Sequence, residues 1–394
     1  MFLKRGMANR FFRRNVTLVA ISTLIGTIVG AGVLGIPYVV SQAGFLYGFL
    51  LMLVLGVAFM IIHLFMGEIV LRTKKQYQLT GYAEKYLGKK GKVIMTLSML
   101  LSTYGALTAY LIGEGATLQT VIGFGNPLIY TFIFFIISLI IIYKGMKTAG
   151  NTELILVGLL LLSVMLMGIF SMDEISLANL GGFTPANFFL PYGVILFAYM
   201  ALPAIPEVQE VLGKNKNKMK KAIIAASIIP IFLYILFALV VVGIVGKANF
   251  SLLEPSQQIA TIALSIYSLP ILGLCANILA ILAMFTSFLT LGIALIELYE
   301  YDYGLKRSLA FVLTFSIPLA IVLLKLTSFI AVLAVTGAFA GGLEGILVVL
   351  MYWKAKLAGD RKPEYQLGQF RVIGMLLILI FAFGIIYEIW SNFF

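Results

Sequence analysis

Residues 22–45, STLIGTIVGAGVLGIPYVVSQAGF, form an apolar stretch long enough to cross a bilayer, yet its middle is ill suited to continuous helix. Gly26, Gly30, Gly32 and Gly35 crowd together and Pro37 follows them. Each Gly costs about 1 kcal/mol of helix propensity relative to Ala, and an interior Pro about 3 kcal/mol. Within hydrocarbon, the amide and carbonyl groups freed by a break are tolerated only against protein, water or a ligand. A break at mid-membrane depth therefore marks a candidate binding site. The alternative reading of the same glycines is close packing of neighbouring helices through small residues.

The rest of the chain supports a membrane setting. Only 11% of the 394 residues are charged, against roughly 25% in soluble proteins. Runs of the ~20 apolar residues needed to span hydrocarbon recur throughout. Spans are expected at about 16–40, 45–71, 92–121, 127–143, 151–170, 188–211, 222–246, 268–296, 308–324, 327–351 and 372–390. The basic leader 1–15 precedes them and lacks the small-residue cleavage site of a signal peptide. The segment QLTGYAEKYLG at 78–88 reads as a short interfacial helix before the third span. This is an all-α polytopic membrane protein with eleven transmembrane helices.

Charge sets the orientation. With the N-terminus inside and the spans alternating, only Lys247 and Lys325 of the 28 lysines and arginines fall outside. The C-terminus is then external. The net charge of +12 belongs to a face lying against anionic lipid, so a nucleic-acid partner is not expected. His63 and Cys275 are the single His and Cys of the chain, which excludes an intrachain disulfide and argues against a metal site.

Span 6 repeats the character of span 1. In PYGVILFAYMALPAIPEVQEV, Pro203 and Pro206 each lack an amide donor, so the helix is expected to break between Tyr199 and Pro203. The two most breakable spans are thus five apart. Because five is odd, the second set of spans is inverted relative to the first. The first repeat is then 16–170, the second 188–351, and 372–390 is an added span. Paired discontinuous helices in inverted repeats point to the central site of a transporter.

GTIVGAGVLGIPYVVSQAGF resembles the first span of the amino acid/auxin permease family and of the bacterial aromatic amino acid permeases, within the amino acid-polyamine-organocation superfamily. PAIPEVQE at 203–210 resembles the end of their sixth span and MFTSFLTLG at 284–292 their eighth. The resemblance implies the five-plus-five inverted-repeat fold of the leucine and neurotransmitter transporters with an eleventh helix added. It implies an ion-coupled secondary permease of the cell membrane. One isolated His and no paired acids or nucleophile with its base in the spans argue against an enzyme, and no obligate protein partner is evident. One departure stands out: span 5 has no lysine, whereas some proton-driven relatives of this fold carry one there.

A free amino acid is a zwitterion, and both charges need compensation in a low-dielectric site. Helix ends supply it, amides for the carboxylate and carbonyls for the ammonium. The amides from Gly30 through Ala31 and Gly32 to Val33 suit the carboxylate, and the carbonyls of Thr27 and Ile28 suit the ammonium. Span 6 adds backbone carbonyls over Phe197, Ala198, Tyr199 and Met200, whose side chains make an apolar, bulky pocket. Tyr104 and Tyr110 are candidate lids or phenol donors. No ionisable side chain lies in either break, so the substrate is expected to be a neutral amino acid, preferably large and apolar or aromatic.

The coupling ion is expected to be Na+, with H+ as the alternative. The resemblance implies a sodium cage from the carbonyls of Gly26, Val29 and Ala283 and the hydroxyls of Thr286 and Ser287. Adjacent hydroxyls in an apolar helix also commonly cap carbonyls of their own helix. Proton carriers would be acids inside spans, Glu114 and Glu344 foremost. A channel is the competing class, but no filter-like repeat is present. A phosphate-cradling loop followed by Lys and Ser/Thr is also lacking, which excludes that type of ATP site.

Overall fold

The computed structural model describes residues 16–144 and 172–393, with scattered positions between 158 and 170. The leader 1–15 and most of the expected fifth span lie outside the described residues. Among the described residues all regular structure is helical. In chain order the helices are α1 (Val16–Ile28), α2 (Gly32–Ala43), α3 (Phe45–Arg72), α4 (Leu79–Ile122) and α5 (Pro127–Tyr143). After three single turns come α6 (Leu190–Tyr199), α7 (Ala204–Leu212), α8 (Met219–Leu252), α9 (Ala260–Tyr267) and α10 (Pro270–Tyr303). The chain closes with α11 (Arg307–Leu323), α12 (Phe329–Thr336), α13 (Gly342–Ala358) and α14 (Arg371–Phe393).

Seven of these helices or near-continuous pairs are long and apolar enough to cross a membrane, and α1 with α2 form an eighth, bent by 54°. Helices α5 and α11, each of 17 residues, are shorter apolar elements. Local chemistry explains the ends. Pro127 opens α5 where a missing amide costs nothing, and the Asn126 side chain accepts from the Leu128 amide at 2.9 Å. A short helix stands at the expected segment as the first turns of α4, set off from the rest of the helix at Gly88, whose φ of 76° suits glycine. The expected eighth span, 268–296, is longer in the structure: α10 continues through Glu300 to Tyr303 and is capped at Gly304.

The outer faces of α5 and α14 expose Ile133, Ile137, Ile140, Met375, Leu379 and Phe383. Continuous apolar surface of this kind is matched to lipid rather than water. Inside, α2 packs on α3, α6 and α8, while α10 packs on α4, α9 and α11. Helices α12 and α13 are joined by a π-helical turn over Gly337–Gly341, which packs on α6 and α4. Glu68, fully buried near the end of α3, accepts from Arg72 Nε at 2.8 Å, Lys356 Nζ at 2.7 Å and the Leu367 amide at 2.7 Å. This carboxylate ties the loop after α13 to the end of α3. Two cations and an amide satisfy a charge that could not otherwise be buried.

Candidate functional site

Helix α1 ends at Ile28, and residues 29–31 carry the chain through the bend into α2. Helix α6 ends at Tyr199. Met200 is extended, with ψ 123°, and Pro203 opens α7. Both interruptions fall where the glycines and prolines predict. The fold brings them together: a Cβ built on Gly32 would lie 2.6 Å from Ala198 Cα, so the start of α2 rests on the end of α6.

Helix α8 lies against both breaks. The Tyr234 hydroxyl, fully buried, is 2.8 Å from the Ile28 carbonyl and 2.8 Å from the Ala198 carbonyl. Tyr110 of α4 approaches from another side, its hydroxyl 3.1 Å from where a Cβ on Gly30 would stand. Tyr199 packs on Tyr234 with ring centroids 5.1 Å apart. Around the breaks Thr27, Gly30, Phe197 and Met200 keep partial exposure, whereas Ile28, Ala31, Gly32, Val33, Ala198 and Tyr199 are buried.

The electrostatics follow from helix ends. The C-terminal ends of α1 and α6 converge, each carrying partial negative charge, beside the partly positive N-terminus of α2. Such a locus is complementary to a zwitterion. Thr27, Gly30, Phe197 and Met200 are the expected residues left with residual access.

Several expectations are corrected. Tyr104 is not at the breaks: its hydroxyl bonds the Tyr299 hydroxyl at 2.5 Å and the Leu313 carbonyl at 3.2 Å, between α10 and α11. Tyr199 does not line an open pocket, since it is buried and donates to the Met52 carbonyl of α3 at 3.2 Å. The Ile28 carbonyl is already engaged by Tyr234 and by the Gly30 amide. Gly32 serves helix packing against Ala198, so the small-residue explanation holds there, while Gly30 faces a phenol hydroxyl. The Met200 side chain packs on the π-helical turn at Gly341.

The expected cage oxygens lie on α1 and α10. Helix α1 packs on α7 and α8, whereas α10 packs on α4, α9 and α11. The Thr286 hydroxyl lies 3.2 Å from the Leu282 carbonyl and 3.1 Å from the Ala283 carbonyl, capping its own helix. Ser287 is half-buried beside it. Of the acids, Glu114 is fully buried on α4, one helical turn beyond Tyr110, and neither carboxyl oxygen has a partner. Glu344 is buried on α13 with Oε2 unpartnered. A cavity of about 360 Å³ between α4 and α10, lined by Val93, Leu97, Leu100, Tyr299 and Leu305, lies apart from the breaks.

The model of the tryptophan/tyrosine permease family matches residues 13–391. The chain belongs to that family. This permease is 28% identical over 389 residues to tyrosine-specific transport system 1 of Haemophilus influenzae, covering 93% of this chain and 94% of the relative. It is 21% identical over 411 residues to the low affinity tryptophan permease of Escherichia coli K12, covering 96% of each. Glutamine transporter 2 of Aliivibrio fischeri is 24% identical over 80% of this chain and 82% of its own. The fold is that of MhsT, whose crystal structure in complex with L-phenylalanine matches 95% of this permease and 98% of its own chain, with TM-score 0.64 and 18% identity. The relatives are transport proteins, so the permease is a transporter and not an enzyme.

Sequence reasoning missed Tyr234 and the π-helical turn. A signal for the first existed: one phenol inside the apolar run IIPIFLYILFAL must find a partner once buried.

Proposed function

We propose that the permease carries neutral, large apolar or aromatic L-amino acids across the cell membrane by ion-coupled symport and alternating access. The observation that carries this reading is the meeting of the α1–α2 and α6–α7 breaks in the interior, where helix ends of both signs converge beside a partly buried Gly30. The relatives named for tyrosine and tryptophan support an aromatic preference, and the one named for glutamine is also a neutral amino acid carrier. In this reading the chain has eleven spans in two inverted repeats, 16–170 and 188–351. The leader is cytoplasmic and the C-terminus external.

The coupling ion in this reading is the proton, carried at Glu114 with Glu344 as the second candidate. A carboxyl group sealed from water with neither oxygen partnered is suited to taking up and releasing a proton. The second reading is sodium between α1 and α10, supported by the adjacent hydroxyls Thr286 and Ser287. It requires those two helices to close on one another. The two separate by mutation. Under proton coupling, Glu114→Gln abolishes concentrative uptake but leaves exchange down a substrate gradient, and Thr286→Ala has little effect. Concentrative uptake that survives Glu114→Gln and loses its sodium dependence in Thr286→Ala reverses the assignment.

A further inference from the structure

We propose that Tyr234 is the positioning residue that couples the two helix breaks, its hydroxyl acting as a shared pin between the α1 and α6 ends. This deepens the functional reading above and rests on it for the link to substrate. Three observations carry it. First, one hydroxyl oxygen lies 2.8 Å from carbonyls on two different discontinuous helices, Ile28 and Ala198. Second, those carbonyls lie at the C-terminal ends of α1 and α6, where main-chain acceptors lack helical donors and carry partial negative charge. Two negative ends brought this close need a donor between them. Among the described residues the structure supplies the phenol O–H there.

Third, the position of the phenol is fixed by its surroundings. Tyr234 is fully buried, its ring rests on Tyr199, and Tyr199 is held to the Met52 carbonyl of α3 at 3.2 Å. Ile231, one turn earlier on α8, approaches Gly56 of α3 so closely that a Cβ there would lie 2.5 Å from Ile231 Cγ1. Helices α8 and α3 therefore hold the hydroxyl in place between the two breaks.

A phenol has one proton for two acceptors. Either carbonyl can hold it while the other is left to a second donor. The ammonium of an amino acid has three N–H groups and is suited to that place. Substrate binding would then be felt at both breaks at once, because each acceptor competes for the same hydroxyl. Sequence distance is no obstacle: Ile28 and Ala198 belong to the corresponding spans of the two proposed repeats, and a single side chain joins them.

The test is Tyr234→Phe in the full-length protein, which deletes one oxygen and keeps the ring. Hydrogen–deuterium exchange in detergent, without substrate, is expected to rise at least tenfold in 28–33 and in 199–203 together, with the end of α3 unchanged. In proteoliposomes, the KM for L-tyrosine is expected to rise about tenfold, with a smaller change in maximal rate per folded transporter. Unchanged exchange at both breaks overturns the pin, as does a change at one break alone. A fall in folded protein with KM unaltered overturns it too. Should Tyr234→Phe fail to insert, 3,5-difluorotyrosine at position 234, which keeps the ring and strengthens the hydroxyl as a donor, decides: exchange in 28–33 and 199–203 must fall together or the proposal fails. The exchange readout needs no substrate, so it separates failure of the pin from failure of the amino acid assignment.

Discussion

Replacing Gly32 by Ala tests whether the first break is shaped by packing or by a ligand. A Cβ at this position would lie 2.6 Å from Ala198 Cα, 2.8 Å from Ala198 Cβ and 3.0 Å from the Ala198 amide nitrogen. Ordinary carbon–carbon contact is about 3.5–4.0 Å. The start of α2 would have to move about 1 Å from α6, and the obstacle is backbone that no rotamer change removes. Overpacking of this kind costs about 1–3 kcal/mol. At about 2–4 °C per kcal/mol, the apparent Tm of the purified protein should fall by roughly 2–12 °C. Adding Ala198→Gly should not restore it, because Ala198 Cα remains in the way. At Gly30 the expected obstacle is different, the Tyr110 hydroxyl at 3.1 Å. Gly30→Ala should keep Tm within about 2 °C and alter substrate affinity, and Tyr110→Phe should relieve that change. The assay is thermal unfolding in detergent with a binding titration on the same samples. Gly32→Ala with an unchanged Tm, or with a Tm fully rescued by Ala198→Gly, would refute the packing argument.

Three further outcomes are expected. Glu68→Ala strands the Arg72 and Lys356 cations at mostly buried positions, and should lower stability by about 3–5 kcal/mol, read as a Tm drop much larger than that of Glu68→Gln. The Lys85 ammonium and the Lys74 amide hold the Asp360 carboxyl below the usual carboxylate range. Its stabilisation, under about 1 kcal/mol for a partly exposed pair, is therefore complete above the ordinary aspartate pKa of about 3.9. It is lost as pH falls through the lower folded value, so Tm curves of the protein and of Asp360→Asn should differ at neutral pH and converge in acid. A reporter at Asn215 should be cytoplasmic and one at Thr184 external; both on one face would contradict the inverted-repeat topology.

Backbone chemistry made the broken spans legible. Glycines at 26, 30, 32 and 35 and prolines at 203 and 206 weaken helices whatever surrounds them, and the breaks fell there. Helix starts at Pro127 and after Ser328 carry residues with a local effect on the backbone, whereas α10 runs past the expected end at 296 to its cap at Gly304. Direction of side chains was not legible. Tyr104 and Tyr110 are six apart on α4, yet one bonds Tyr299 at 2.5 Å and the other faces Gly30. Which face of an all-apolar helix looks inward depends on its neighbours, since lipid and protein interior favour the same residues. Tyr234 escaped for the same reason: its partners are carbonyls of segments 36 and 206 residues away, made available by breaks in other helices. The π-helical turn at Gly337–Gly341 left only four small residues around Phe339, which read equally well as a packing stripe.

The most direct test of the account is uptake by the purified permease in proteoliposomes, with radiolabelled L-tyrosine, L-tryptophan and L-phenylalanine under imposed gradients. The account predicts saturable, concentrative uptake of these aromatic amino acids driven by an inward proton gradient. It also predicts competition by other large neutral amino acids and none by lysine or glutamate. Uptake restricted to charged amino acids, or no uptake of any amino acid under either a proton or a sodium gradient by protein that remains folded, would contradict it.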